Sequence, residues 1–281
     1  MRVRTLSFIR HVILALTVVV AAGETASANV TVYPMQVFVQ HPNRSAPVSI
    51  TNISDAPMEV WVSFRYGFPV AFDTGNVTFN WGDTLGHVES NAAPWLRPVP
   101  QRVVLDPGEA QTVRLVVSPP GLVADGEYWA RCVVSWKRSL TLAAQNGEKS
   151  GMRTALVTET IIPVHSRKGQ LSSGVTMTGL TAGVQSKSIA FNFVLDRTGN
   201  AAFWGTAEFS LLNSAGKVVD TRKNSVVVYK HLTYSSLIDI EALPPGEYTL
   251  SVTLDNKHPA LKKDIRLKSP PVNQSTKIII P

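Results

Sequence analysis

From Val30 onward the chain is a series of short segments in which apolar and polar residues alternate, each closed by a cluster of Gly, Pro, Asn or Asp. A period of two puts every second side chain on one face, which suits a strand buried on one side and gives a helix no apolar stripe. Met58–Tyr66 (MEVWVSFRY) sets Met58, Val60, Val62 and Phe64 on one face and Trp61 on the other. Ser188–Leu195 (SIAFNFVL) repeats the pattern. Turn signals stand between such segments: Asn52-Ile53-Ser54-Asp55, Asp106-Pro107-Gly108, Ser118-Pro119-Pro120-Gly121 and Asn213-Ser214-Ala215-Gly216. No window sustains a helical period between them. Short strands punctuated at roughly ten-residue intervals predict an all-β, antiparallel sandwich architecture.

At 281 residues the chain exceeds one such core. The polar run His165–Gln170 (HSRKGQ) breaks the strand pattern and predicts the boundary, giving a first domain over 29–164, a linker over 165–169 and a second domain over 170–281. The first ends in Glu127–Trp136, a polar loop and Met152–Val164; Phe72–Arg97 reads as a hairpin insertion containing Val77–Trp81. The second continues with Ala201–Leu212, with a bulge at Gly205, then Lys217–Asp220, Asn224–Tyr229, Thr233–Ile240, Glu247–Leu254 and a closing Thr276–Ile280. Gly126-Glu127-Tyr128 and Gly246-Glu247-Tyr248 each place a Tyr at the start of a strand after a turn. That is the setting of the tyrosine corner, so both halves are expected to be Ig-like sandwiches.

Residues 1–28 read as a secretory signal peptide, with Arg2, Arg4 and Arg10 ahead of the apolar stretch Val12–Ala22 and with Ala26-Ser27-Ala28 as cleavage signature. Cleavage is expected after Ala28, leaving no membrane span and lowering the formal net charge from +7 to +5. The remaining charge is scattered over short clusters such as Lys137-Arg138 and Lys262-Lys263, with no basic run interleaved with aromatics, so no nucleic-acid partner is expected.

The chemistry-bearing residues are sparse. Cys132, the only cysteine, can form no intrachain disulfide, and its place between Trp129 and Trp136 predicts a buried thiol. The histidines lie singly, so no metal site is expected. No nucleophile elbow, P-loop or dinucleotide fingerprint is present. The chain is therefore read as no enzyme and as needing no cofactor. Asn52-Ile53-Ser54 matches a glycosylation sequon.

Four stretches carry a family resemblance: Val30–Val39 (VTVYPMQVFV), Val48–Pro57 (VSITNISDAP) with Val60–Phe64, Arg102–Val117 (RVVLDPGEAQTVRLVV) and Leu122–Val134 (LVADGEYWARCVV). Over about Asn29–Val164 the chain resembles the N-terminal domain of periplasmic pilus (fimbrial) chaperones, the PapD-like family, as a divergent member; the second half shows no clear match to that family's second domain.

The resemblance implies a periplasmic chaperone that binds and stabilises pilus subunits by donor-strand complementation, monomeric when subunit-bound, and hands them to an outer-membrane usher. Its donor strand would be Met152–Val164, with Met152, Thr154, Leu156 and Thr158 toward the subunit and Ala155 and Val157 away. A one-residue error would exchange the faces. The family's two basic cleft residues, which bind the subunit's terminal carboxylate, fall on Gln36 and Ile161, so that anchor is not supported at either; Arg167 and Lys168, near the junction, are the basic residues that could substitute. The alternative is an exported two-domain Ig-like binding or structural module with no strand-donating activity.

Overall fold

The computed structural model describes residues 29–71, 77–82, 90–139 and 156–281. In the first half run β1 (Val30–Tyr33), β2 (Val37–Gln40), β3 (Ser45–Asn52), β4 (Met58–Arg65), β5 (Gly67–Ala71), β6 (Val77–Trp81), β7 (Leu96–Val99), β8 (Arg102–Leu105), β9 (Ala110–Val117), β10 (Gly126–Arg138) and β11 (Thr158–Lys168). The second half holds β12 (Ser173–Gln185), β13 (Ser188–Gly199), β14 (Phe203–Asn213), β15 (Val218–Val228), β16 (His231–Asp239), β17 (Gly246–Asp255) and β18 (Val272–Ile280). No helix among the described residues is long and apolar enough to cross a membrane.

Two sandwiches result. The first packs the sheet β1-β3-β9-β7 on the sheet β2-β11-β10-β4-β8; the second packs β12-β13-β16 on β15-β14-β17-β18. Each core is made by the apolar row of the alternating strands. Ile50 and Leu115 from one sheet meet Leu105 and Ile162 from the other, all fully buried, and Phe193 and Ile189 meet Leu211 and Leu250 in the same way. Met58, Val60 and Val62 lie in the first core, as their spacing predicts. Cys132 is fully buried on β10, and burial pushes its thiol up to about 12.

The tyrosine corners are present in both sandwiches. Tyr128 donates its hydroxyl to Ala124 O at 2.9 Å, and Tyr248 donates to Pro244 O at 2.8 Å. Of the segment Phe72–Arg97, Val77–Trp81 is strand, as expected, but its antiparallel partner β5 (Gly67–Ala71) precedes the segment, so the hairpin begins before Phe72.

Four features depart from the sequence pattern. The run His165–Lys168 is strand, the last part of β11, paired with β10 and β2; only Gly169 and the residues up to β12 connect the domains. Gly169 has φ +66, and a Cβ there would strike the Asp125 carboxylate. Second, β12 and its antiparallel pairing with β13 were hidden in a Gly- and Thr-rich stretch. Third, the register is unbroken at Gly205 and shifts instead at Leu211/Leu212; Gly205 is required because a Cβ would lie 2.1 Å from Asp255 O. Fourth, Asn52 is no glycan acceptor: it is fully buried, and its Nδ2 donates to Ala56 O and Leu105 O at 2.8 and 2.9 Å.

Candidate functional site

The chain's first strand is divided between the sheets. β1 pairs with β3, whereas β2 crosses to run parallel to β11, with Val37 opposite Val164 and Gln40 opposite Arg167. β2 therefore covers only the last part of β11. On that side of β11 the earlier part, Thr158–Pro163, meets no strand among the described residues, although its other side is paired with β10 along its whole length. An edge of this kind carries unpaired main-chain donors and acceptors.

The side chains follow the same division. Ile162 and Val164 are fully buried in the first core. The row they belong to emerges at the far end of the sandwich, where Thr158 is exposed and Leu156 is 80% exposed. Leu156 and Thr158 line a cavity of about 310 Å³ with Met58 and Trp136 as its apolar floor and Lys137 and Arg138 at its rim. Of the expected donor face, Leu156 and Thr158 are thus brought beside the free edge, while Met152 and Thr154 lie outside the described residues. On the opposite face Glu159 accepts from Ser135 Oγ at 3.1 Å and faces Arg65 Nη2 at 3.5 Å.

At its other end β11 enters the joint between the domains. Tyr66, Phe68 and Trp129 from the first domain close on Ala202, Trp204, Tyr229 and Leu261 from the second. Inside this apolar seal lies a polar group: Arg167 Nε donates to Glu127 Oε2 at 2.7 Å, and His165 Nδ1 contacts Glu127 Oε1 at 3.0 Å. Burial alone would raise the Glu127 carboxyl, but His165 and Arg167 outweigh it and hold the carboxyl at about 2. Burial lowers His165, helped by the charges of Arg131 and Arg167 and opposed by Glu127. The other ring nitrogen lies 3.4 Å from the Tyr229 hydroxyl, and the ring stacks on Phe38 at 4.6 Å.

Asn200, from the second domain, clasps the two halves. Its Nδ2 donates to Asp125 O and Gln170 O at 3.0 and 2.9 Å, and its main-chain carbonyl accepts from Glu127 N–H at 2.9 Å.

The basic residues near the junction have internal partners. Arg167 is 2% exposed, lies over the Phe38 ring at 4.5 Å and donates to Ile265 O as well as to Glu127. Lys168 Nζ donates to Val123 O. Gln36, just ahead of β2, donates to Ala260 O in the second domain, and Ile161 lies half-buried on the outer face. Arg167 is accordingly a pillar of the joint, with its charge already matched by Glu127. Sequence spacing gave no local sign of this pair, since the partners are 40 residues apart. A signal existed in the charged residues Glu127 and Arg131, set on one face among the apolar residues that fill the rest of Glu127–Val134.

No protein-family model matches the chain, and no curated protein sequence does. Its backbone is similar to that of the class 5 fimbriae chaperone CfaA, at 14% identity and a TM-score of 0.43, covering 90% of this chain and 100% of that one. It is similar to the YadV chaperone at 12% identity and a TM-score of 0.43, covering 89% and 99%. A chain of the Salmonella enterica SafA pilin complex with the SafB chaperone is similar at 12% identity and a TM-score of 0.40, covering 89% and 97%.

Proposed function

We propose that the chain is a periplasmic chaperone for pilus or related surface-fibre subunits. The leader over residues 1–28 would export it, and the first domain would hold the subunit by lending the outer part of β11. The observation that carries this reading is the main-chain edge over Thr158–Pro163, which no strand among the described residues pairs, beside the exposed Leu156. Main-chain hydrogen bonds along such an edge supply affinity, and alternate side chains supply specificity. The donor face Met152, Thr154, Leu156 and Thr158 would fill the subunit's groove. The action is stoichiometric, one chaperone to one subunit, with no cofactor. Transfer to an outer-membrane usher completes the proposal. Gln36 and Ile161 are uncharged, so no cationic anchor is assigned to them.

The test is co-purification from the periplasm with and without Leu156→Asp. The native protein should come out with a fibre subunit. The variant, changed at an 80% exposed site, should keep its thermal stability and lose the subunit. Purification of the native protein without a subunit, or unchanged fibre assembly with Leu156→Asp, would overturn the reading.

A further inference from the structure

The free edge of β11 is not uniform, and its backbone phase can be read from two hydrogen bonds. His41 N–H donates to Arg167 O at 3.0 Å, so the Arg167 carbonyl faces β2, away from β10. On β10, Trp129 O accepts from Ala92 N–H at 3.0 Å, so Trp129 turns its main-chain groups away from β11, and its cross-strand partner is His165. In a strand the N–H and C=O of one residue share a side and the sides alternate with period two. The residues of β11 that address the free edge are therefore Glu159, Ile161 and Pro163, in phase with His165 and Arg167. Pro163 stands opposite Arg131 as a pair without mutual hydrogen bonds, so its missing N–H costs the β10 ladder nothing.

The donor row on this edge is consequently Glu159 N–H, then Ile161 N–H, then a pyrrolidine ring. The ring sits one residue before the point where β2 takes over at Val164. We propose that Pro163 sets the register of the strand added to this edge, by ending the row of donors two residues short of the joint. The inference rests on the strand-lending reading above and extends it. A slip by one residue would exchange the apolar and polar faces and is resisted by the groove. A slip by two preserves the faces, and side-chain pattern gives no defence against it. Pro163 supplies that defence, because an acceptor moved two residues toward the joint faces a ring in place of an N–H. It is a positioning residue for the bound strand.

The experiment is residue-resolved amide exchange on the full-length mature protein. The probe is a synthetic peptide of nine alternating Val and Thr residues with terminal lysines for solubility. In the native protein the peptide should slow exchange at Glu159 and Ile161 about tenfold each, the change that one ordinary hydrogen bond gives. In Pro163→Ala, and independently in Pro163→Val, the new amide at position 163 should be slowed by a similar factor, and the protected amides of the peptide should move by two residues. Protection at Glu159 and Ile161 with no protection at position 163 in either folded variant would overturn this inference and leave strand addition standing. No protection at Glu159 or Ile161 in the native protein would overturn both.

Discussion

Glu127 and Arg167 stand opposite each other on β10 and β11, joined Nε to Oε2 at 2.7 Å, and neither side chain is more than 2% exposed. Removing one partner of a sealed pair strands the other as a buried charge. Glu127→Ala is therefore expected to cost about 3 to 5 kcal/mol. Urea unfolding followed by tryptophan fluorescence measures it, and a loss below about 1 kcal/mol would show that water reaches Arg167 in the variant.

Acid should weaken the fold in two stages. His165 is lowered from 6.5 in the fold, so its share of stability is complete above that pH and is lost as the pH falls below it. Glu127 is lowered from 4.5 to about 2, so its share is complete above 4.5 and fades as the pH falls through about 2. The second stage is on the order of 3 kcal/mol. Denaturant midpoints between about pH 7.5 and about pH 2 should show His165→Phe flattening the upper stage and Glu127→Gln the lower. Unaltered slopes in both variants would contradict the assignment.

Asn52→Ala should be costly for its size. The side chain closes the turn after β3 by donating to Ala56 O and Leu105 O, and its Oδ1 accepts from Ser54 N–H at 2.9 Å. Leaving buried carbonyls unpaired is expected to cost about 2 to 4 kcal/mol. Expression of the native chain in a glycosylating host should leave its mass free of glycan at Asn52; a glycan there would contradict the buried position.

Tyr128→Phe and Tyr248→Phe each delete one hydrogen bond and little packing. Each should cost about 1 kcal/mol, and because the bonds lie in different sandwiches the double variant should be close to additive. A marked excess over the sum would mean that the two sandwiches are coupled more tightly than the joint implies.

Much of the fold was legible wherever a strand buries one face. β4 and β13 announce themselves by alternation, β6 begins and ends where its aromatic and β-branched residues do, and the paired Gly-Glu-Tyr runs marked both corners. What stayed hidden was set by tertiary contact. β12 offers Gly and Thr where a strand signal needs bulk, and it is held by β13. His165 and Arg167 look like linker residues because polarity in a sequence cannot distinguish solvent from a buried partner. β15 runs without a break through Arg222 and Lys223, two exposed residues that split it when read by hydropathy. The exposed Leu156 was legible as a residue, but the edge beside it was not, since that edge exists only because β2 is short.

The unequal cover on β11 has a mechanical consequence. The strand is a beam held hardest at its inner end, by β2, by the Glu127 pair and by the aromatic seal, while its outer part is held by β10 alone among the described residues. A guest strand pulled along the beam loads its hydrogen bonds together, in shear. The same guest lifted from its far end loads them one after another, like a zip. The clamp keeps the beam from yielding in either case, so the direction of pull, more than the number of bonds, would set how readily the guest comes away.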